Sequence, residues 1–247
     1  MSSQRNLQGR AALITGASRG IGLAMAKALA HEGCRLIITG RDRKALQAAD
    51  RAITKATRAG APAPQILAHA ADVRELKSVK ALFAAVKKQF RHLDILINNA
   101  GISHAMAEVE RLPLDAWREV IETDLTGMFV VTQAALPLMR RGSTIVNNLS
   151  MAATHVFAGQ SAYCAAKHGA LGLTRTLREE LRPRGIRVIA LLPGATATDI
   201  WKQFWPEAPR QRMLRPETVA QAVLDALLLP PESTVEEFTL MPTGGAL

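Results

Sequence analysis

The sequence has one tyrosine, two cysteines and few other aromatic residues among its 247 positions. The cysteines, Cys34 and Cys164, stand alone, which argues against a disulfide framework or a cysteine-rich metal site. The six histidines are scattered without metal-ligand spacing. No apolar run approaches the roughly 18 residues that a membrane-spanning helix needs, and the N-terminal segment lacks the apolar region of a secretory signal. We therefore expect a cytoplasmic protein with no metal centre and no membrane partner.

Acidic residues are also scarce, since 21 Asp and Glu face 31 Lys and Arg, for a formal net charge of +10. An excess of positive charge of this size favours binding to an acidic partner. A nucleic-acid surface would interleave its basic residues with aromatic side chains, and here the aromatic residues lie elsewhere. We interpret the charge as solvated helix faces plus a site for a small phosphorylated ligand, and expect no nucleic-acid partner. A DNA-binding side activity remains the alternative reading of the charge.

Apolar runs of strand length alternate with amphipathic stretches of helical length along the whole chain. Continuous apolar strands joined by helices indicate a parallel sheet that is covered on both faces. The sequence therefore predicts one α/β domain over residues 1–247, a doubly wound Rossmann-type fold with a seven-stranded parallel sheet and helices on both faces. The predicted strands span residues 10–15, 35–40, 65–72, 94–101, 143–150, 186–194 and 237–241.

A glycine-rich turn, "TGASRGIG", follows the first predicted strand and opens the first helix. Gly16, Gly20 and Gly22 allow a tight turn there, so that backbone N–H groups and the positive end of the helix face a pyrophosphate. Glycines at a strand end also occur for purely steric reasons. The position between the first strand and first helix of a βαβ unit favours the phosphate-binding interpretation.

The single tyrosine, Tyr163, stands four residues before Lys167 in a predicted helix. Residues at this spacing share one helix face, so both side chains can point into one cleft. A nearby ammonium group favours the phenolate and lowers the pKa of the phenol from about 10. The pattern therefore predicts a general acid/base whose pKa lies closer to neutral pH. The alternative is a buried tyrosine beside an unrelated base.

Taken together, these motifs resemble the short-chain dehydrogenase/reductase family over nearly the whole chain. The resemblance rests on "TGASRGIG", "NNAG" (98–101), Ser150, "YCAAK" (163–167) and "PGATAT" (193–198), which follow the order of the family. It implies hydride transfer between a nicotinamide cofactor and a carbonyl or alcohol carbon. The implied catalytic residues are Ser150, Tyr163, Lys167 and Asp124, the last standing where the family usually has Asn. The implied cofactor-binding residues are Gly16, Ser18, Arg19, Gly20, Ile21, Gly22, Arg41, Asp72, Val73, Asn99, Ala100, Gly101, Tyr163, Lys167, Pro193, Gly194, Thr196 and Thr198.

The end of the second strand, "IITGRD", bears on the choice of cofactor. NAD-selective dinucleotide folds place a carboxylate there to bind the ribose 2′-hydroxyl, and this chain has Gly40 followed by Arg41. Together with Arg19, Arg41 would make charge-assisted contacts with a 2′-phosphate. Asp42 is a nearby carboxylate one position beyond the NAD-selective place. The sequence predicts a preference for NADP(H), with NAD(H) as the alternative.

The segment at about 195–215 contains Trp201, Phe204 and Trp205 and, by the resemblance, forms a lid over the substrate. Its rings fit the wall of a pocket for an apolar or ring-bearing molecule. We expect His104, Met151, His155 and Phe157 to line the same pocket. A 3-oxoacyl-thioester (acyl-carrier-protein) reductase and a non-catalytic NADP-sensing protein are the alternative functions. The family and the apolar helix faces also predict a homotetramer or homodimer.

Overall fold

The computed structural model describes residues 6–57 and 63–246, and its centre is one parallel sheet of seven strands. The strand order is β3-β2-β1-β4-β5-β6-β7, and every pair of neighbours is parallel. The predicted doubly wound α/β fold is therefore confirmed. The strands are β1 (Ala11–Thr15), β2 (Arg35–Gly40), β3 (Ile66–Ala70), β4 (Ile95–Asn98), β5 (Thr144–Asn148), β6 (Arg187–Pro193) and β7 (Glu237–Leu240).

Side chains of each central strand alternate between two apolar layers. In β1, Ala12 and Ile14 pack into one layer, and Ala11 and Leu13 pack into the other. Both layers are covered by helices, so all five residues of β1 are buried and the strand reads as a continuous apolar run. The helices are α1 (Gly20–His31), α2 (Arg43–Lys55), α3 (Leu76–Gln89), α4 (Leu114–Ile121), α5 (Gly127–Ala135), α6 (Ser161–Leu181), α7 (Trp201–Phe204) and α8 (Pro216–Leu228).

The helices divide between the two faces as a doubly wound fold requires. Buried residues of α1, α2 and α8 share one apolar layer, and those of α3, α5 and α6 share the other. Between α4 and α5 the chain makes a π-helical turn, Glu122–Thr126, that carries Asp124. Within the described parts of the chain, no helix is long and apolar enough to cross a membrane.

The fold creates a binding edge at the carboxyl ends of the strands. Because β1 is followed by a crossover to β2 on one side while β4 pairs with it on the other, the order reverses between β1 and β4. Open α/β sheets bind ligands outside the carboxyl ends of the strands at such a switch point. The glycine-rich turn follows β1 at this edge, and "NNAG" ends β4 beside it.

Candidate active site and cofactor cleft

A cleft of about 1140 Å³ runs along the carboxyl edge of the sheet. Its volume lies at the upper end for small-molecule sites. All the catalytic and cofactor-binding residues that the sequence predicts line it, with the exception of Gly22. Residues from six strand ends and from the segment after β6 therefore converge on one cavity, although they are spread over most of the chain.

The glycine-rich turn has the backbone that only glycine adopts readily. Gly16 and Gly20 have φ of +63° and +56°, and a Cβ on Gly16 would lie 2.9 Å from the Cα of Ala100. Gly22, which the motif also assigns to the cofactor, does not line the cleft. Gly22 is buried in α1, where a Cβ would overlap the carbonyl of Gly16 and the side chain of Asn99. Its role is the close packing of helix against strand.

The "NNAG" segment is tied to the glycine-rich turn by hydrogen bonds across the switch point. The Thr15 hydroxyl accepts from the backbone N–H groups of Asn99 and Ala100, both at 2.9 Å. The Asn99 amide donates to the carbonyl of Thr15 at 2.9 Å. Asn148, at the end of β5, donates to Asn99 Oδ1 at 2.8 Å. These bonds give the floor of the cleft a defined shape between β1 and β5.

Ser150, Tyr163 and Lys167 meet at the middle of the cleft. Tyr163 and Lys167 lie one turn apart on α6, with the Lys167 ammonium 5.4 Å from the centre of the tyrosine ring. Ser150, just beyond β5, lies beside Tyr163 and slightly lowers the pKa of its phenol. A hydroxyl, a phenol and an ammonium group thus surround one point that a substrate oxygen could occupy.

Asp124 reaches this group from the π-helical turn. Its Oδ2 lies 2.9 Å from Lys167 Nζ, and both side chains are almost completely buried, at 0% and 6% exposed. Its Oδ1 accepts from the backbone N–H of Ile102 at 2.8 Å. A Cβ on Gly101 would lie 2.9 Å from Asp124 Oδ2, so glycine leaves room for the ion pair. The carboxylate is therefore a direct neighbour of the predicted catalytic lysine.

The opposite end of the cleft contains the residues expected at a ribose 2′ position. Arg19 and Arg41 line the cleft with Gly40 between the end of β2 and α2. A Cβ on Gly40 would meet only ordinary contacts, the nearest being Ser18 Oγ at 3.7 Å. The Asp42 carboxylate accepts from the backbone N–H groups of Lys44 and Ala45, which makes it the N-cap of α2. The Asp42 carboxylate is therefore bonded to the start of α2 and does not stand at the position that selects NAD.

Comparison with known proteins agrees with this geometry. A family model described as short chain dehydrogenase matches residues 10–209. The chain is 34% identical over 251 residues to a 3-oxoacyl-[acyl-carrier-protein] reductase of Vibrio cholerae, covering 97% of this chain and 98% of the relative. The protein belongs to the short-chain dehydrogenase/reductase family. As a member it is an oxidoreductase that transfers hydride between a nicotinamide dinucleotide and a carbonyl or alcohol group.

Solved structures of the family are similar over almost the full length. A short-chain dehydrogenase of Burkholderia cenocepacia in complex with NADP has a TM-score of 0.86 at 32% identity, covering 98% of this chain and 99% of that chain. A 3-ketoacyl-(acyl-carrier-protein) reductase of Brucella melitensis complexed with NADH has a TM-score of 0.84 at 29% identity, covering 96% and 98%. Both forms of the dinucleotide therefore occur among structures with this fold.

Asp124 changes the electrostatics of the family's catalytic group. Burial raises the pKa of Tyr163, and the Lys167 ammonium opposes that rise without reversing it, while Asp124 adds to it. The expected lowering of the pKa below that of a free phenol is therefore wrong for this structure. Burial alone would lower the pKa of Lys167, but Asp124 and Tyr163 outweigh burial and raise it. Burial likewise raises the pKa of Asp124, against the pull of Lys167. The carboxylate neutralises much of the field that the lysine would apply to the phenol.

The substrate end of the cleft is mainly apolar, as the lid prediction expects. Trp201 and Phe204 have ring centres 4.8 Å apart, and both line the cleft together with Trp205. Met151, His155 and Phe157 line it as well. The prediction for His104 is wrong, because this residue does not line the cleft and is buried with Nδ1 2.8 Å from the carbonyl of Ala105.

Several residues of the site had not been predicted. Gln160, one turn before Tyr163 on the same chain segment, lines the cleft and accepts from the Ser103 hydroxyl at 2.6 Å. Gln203 of the lid accepts from the Ser103 backbone N–H at 3.2 Å. Gln160 is the residue just before α6, and its position next to the Tyr163 motif is the only signal in the sequence that points to it. Nothing in the sequence pairs Ser103 with Gln203. Among the described residues, no group of three His, Cys, Asp or Glu side chains could hold a metal ion.

Proposed function

We propose that the protein is an NADP(H)-preferring oxidoreductase that interconverts an apolar or ring-bearing carbonyl compound and its secondary alcohol. The observation that carries this proposal is the meeting of Ser150, Tyr163 and Lys167 between a dinucleotide-shaped cleft and an apolar pocket. The apolar side chains of the pocket, Ile102, Met106, Val156, Phe157, Trp201 and Phe204, favour a substrate without a charged group close to the reacting carbonyl.

The residues of the cleft fit a dinucleotide. Gly16 and Gly20 let the backbone come close to a pyrophosphate, and α1 begins at Gly20 with its positive end toward it. Arg19 and Arg41 would hold a 2′-phosphate, and Asp72 and Val73 would flank the adenine. Asn99, Ala100, Gly101, Pro193, Gly194, Thr196 and Thr198 would line the rest of the cofactor. When bound, the nicotinamide ring supplies the hydride in reduction and accepts it in oxidation.

The proton chemistry belongs to the chain's own side chains. In reduction Tyr163 donates its phenolic proton to the substrate oxygen, and its raised pKa keeps that proton in place at neutral pH. Ser150 donates a hydrogen bond to the same oxygen as negative charge develops on it. Lys167 stabilises the phenolate that remains and would also bind the nicotinamide ribose. Asp124 holds Lys167 through the 2.9 Å ion pair.

The relative from Vibrio cholerae favours a 3-oxoacyl thioester as the alternative substrate class. A non-catalytic NADP-sensing role is the second alternative, and the Ser150–Tyr163–Lys167 group argues against it because a sensor needs no proton donor. A panel of apolar ketones, ring-bearing ketones and 3-oxoacyl thioesters, monitored by the absorbance of NADPH, separates these functions. If NADPH is consumed with none of these compounds, the sensor role is favoured.

The Tyr163→Phe variant tests the mechanism directly. The substitution removes only the phenolic oxygen, so we expect dinucleotide binding and the unfolding midpoint to stay near those of the wild type. Turnover should fall by a factor on the order of 10² or more, because the hydroxyl that donates the proton to the substrate oxygen is lost. Undiminished turnover of this variant with its best substrate would overturn the assignment of Tyr163.

We further propose that residues 1–247 act as one domain with a substrate lid at about 195–215. We propose a homotetramer or homodimer, supported by the exposed apolar residues Leu114 and Phe129 on α4 and α5.

A cytoplasmic location and the lack of a nucleic-acid partner stay predictions from composition. Fractionation of the producing cells tests the first, and a salt-dependent mobility shift with bulk DNA would contradict the second.

A further inference from the structure

The arginine expected to bind a 2′-phosphate is already beside a carboxylate. Arg41 Nη1 lies 3.5 Å from Glu119 Oε1, and Glu119 lies on α4. The two side chains are 55% and 46% exposed, so both remain accessible to a ligand and to water. Glu119 is distant from Arg41 in the chain, and nothing in the sequence pattern associates the two residues.

Glu119 belongs to a row of four alternating charges. Its Oε1 accepts from Arg74 Nη1 at 3.0 Å, and Arg74 in turn forms a two-pronged bond with Asp72, with Nη2 to Oδ2 at 2.6 Å and Nε to Oδ1 at 3.0 Å. The pKa of Asp72 is lowered first by this hydrogen bond from Arg74 and also by the charge of Arg41. Two positive and two negative charges therefore stand together, so the charge of Arg41 is balanced within this row, while Arg19 lies outside the row.

Glu119 is not a strong orienting partner for Arg41. The 3.5 Å contact is an ion pair without the hydrogen bond that Glu119 makes to Arg74. Removing the Glu119 carboxylate should therefore leave the position of the Arg41 side chain nearly unchanged, because exposed ion pairs contribute little to holding side chains in place. Two effects of the carboxylate act against a bound phosphate. It competes for the Arg41 guanidinium, and it repels a second anion that shares this guanidinium.

We propose that Glu119 is a specificity-determining residue that weakens the preference for the phosphorylated dinucleotide by neutralising Arg41. This inference rests on the proposed binding of NADP(H) at Arg41. A phosphate carrying a charge of about −1.5 to −2 and a carboxylate that share one guanidinium repel each other even with solvent screening. The non-phosphorylated dinucleotide has only a hydroxyl at that position and does not experience the same repulsion.

The test compares dissociation constants of the whole protein for NADPH and NADH, measured by fluorescence titration. We expect the wild type to bind NADPH more tightly than NADH. Glu119→Gln should tighten NADPH binding about three- to tenfold at low ionic strength and change NADH binding less than about twofold. The gain should shrink as salt is added, since screening acts on the exposed charges. These readouts do not depend on turnover.

Asp115→Asn is the matched control, because it removes the same charge one turn earlier on α4 at a side chain that is 97% exposed and paired with Arg118. Asp115→Asn should change neither the dissociation constant for NADPH nor that for NADH. A second control repeats Glu119→Gln in an Arg41→Gln background, where its effect on NADPH should disappear. An equal gain in Asp115→Asn, a weakened or unchanged NADPH constant in Glu119→Gln, or a gain that survives without Arg41 would each overturn the proposal. If the wild type bound neither dinucleotide, the proposed function itself would fall.

Discussion

At the scale of single residues, Asp124 has the largest consequence for the proton chemistry, because the family usually has Asn at this position. A buried carboxylate 2.9 Å from Lys167 keeps the ammonium charged while it cancels part of the field at Tyr163. A phenol with a raised pKa retains its proton, so carbonyl reduction should proceed across the neutral range. Alcohol oxidation needs the phenolate as the base, so its rate should rise toward alkaline pH.

Asp124→Asn should shift this pH dependence. The amide can keep the bond to the Ile102 N–H, but it removes the negative charge beside Lys167. Because Asp124 is one of the causes that raise the pKa of Tyr163, its loss lowers that pKa, and the rise of alcohol oxidation should move to lower pH. We expect activity within about tenfold of the wild type.

A pH–rate profile of alcohol oxidation measures the shift, with Glu122→Gln as the control. Glu122 is an exposed acidic residue of the same π-helical turn, so its variant carries the same charge change without the buried ion pair. Its profile should match that of the wild type. A profile of Asp124→Asn displaced toward higher pH would show that the carboxylate does not oppose the lysine.

At the scale of elements, the edge strand β7 depends on Arg178 of α6. This side chain is 8% exposed and donates to the carbonyls of Val188 at 3.1 Å and Glu236 at 2.6 Å, with a third bond to Glu237 Oε1 at 3.3 Å. An edge strand has a neighbour on one side only, so contacts from the covering helix contribute much of its attachment. Arg178 thus links α6, β6 and the segment that begins β7.

Arg178→Met should destabilise the protein by about 1–3 kcal/mol, because it leaves a buried carbonyl without a donor while it keeps most of the apolar stem. The control is Arg182→Met, since Arg182 forms exposed side-chain ion pairs with Glu179 and with Glu236, whose backbone carbonyl accepts from Arg178. It should have little effect. Urea unfolding of both variants measures the difference, and equal stabilities would show that the bonds of Arg178 contribute nothing net.

At the scale of the whole molecule, the apolar surface of α4 and α5 is more than the fold itself requires. Leu114 is 59% exposed and Phe129 is 46% exposed, although α5 already covers one layer of the sheet and α4 already packs against α6. Exposed apolar residues on neighbouring elements are typical of contact surfaces between subunits. This surface is the structural support for the proposed homotetramer or homodimer.

Phe129→Asp should reduce the assembly state, since a charge buried without a partner in such an interface is costly. Sedimentation velocity at micromolar concentration should give a dimer or tetramer for the wild type and a smaller species for the variant. Leu76→Asp is the matched control, because Leu76 is 52% exposed on α3 and lies apart from α4 and α5 in the chain. A monomeric wild type would end the proposal, and equal dissociation of both variants would show a non-specific effect.

The sequence by itself determined the features that depend on local geometry. Continuous apolar runs predicted the buried strands, the glycines predicted the turn with positive φ, and the four-residue spacing predicted that Tyr163 and Lys167 share a helix face. These features are encoded within a few residues of chain. The residues that the motifs assign to the cofactor all line the cleft except Gly22, and their binding of the cofactor stays a prediction.

Only the tertiary structure decided the properties that combine distant segments. The pKa of Tyr163 rises because burial and Asp124 outweigh Lys167, and burial is a sum over every element around the cleft. Arg41, just after β2, contacts Glu119 of α4, and Gln160 lines the cleft while His104 does not. Charge and side-chain direction in a folded protein depend on neighbours in space, which the order of residues along the chain does not specify.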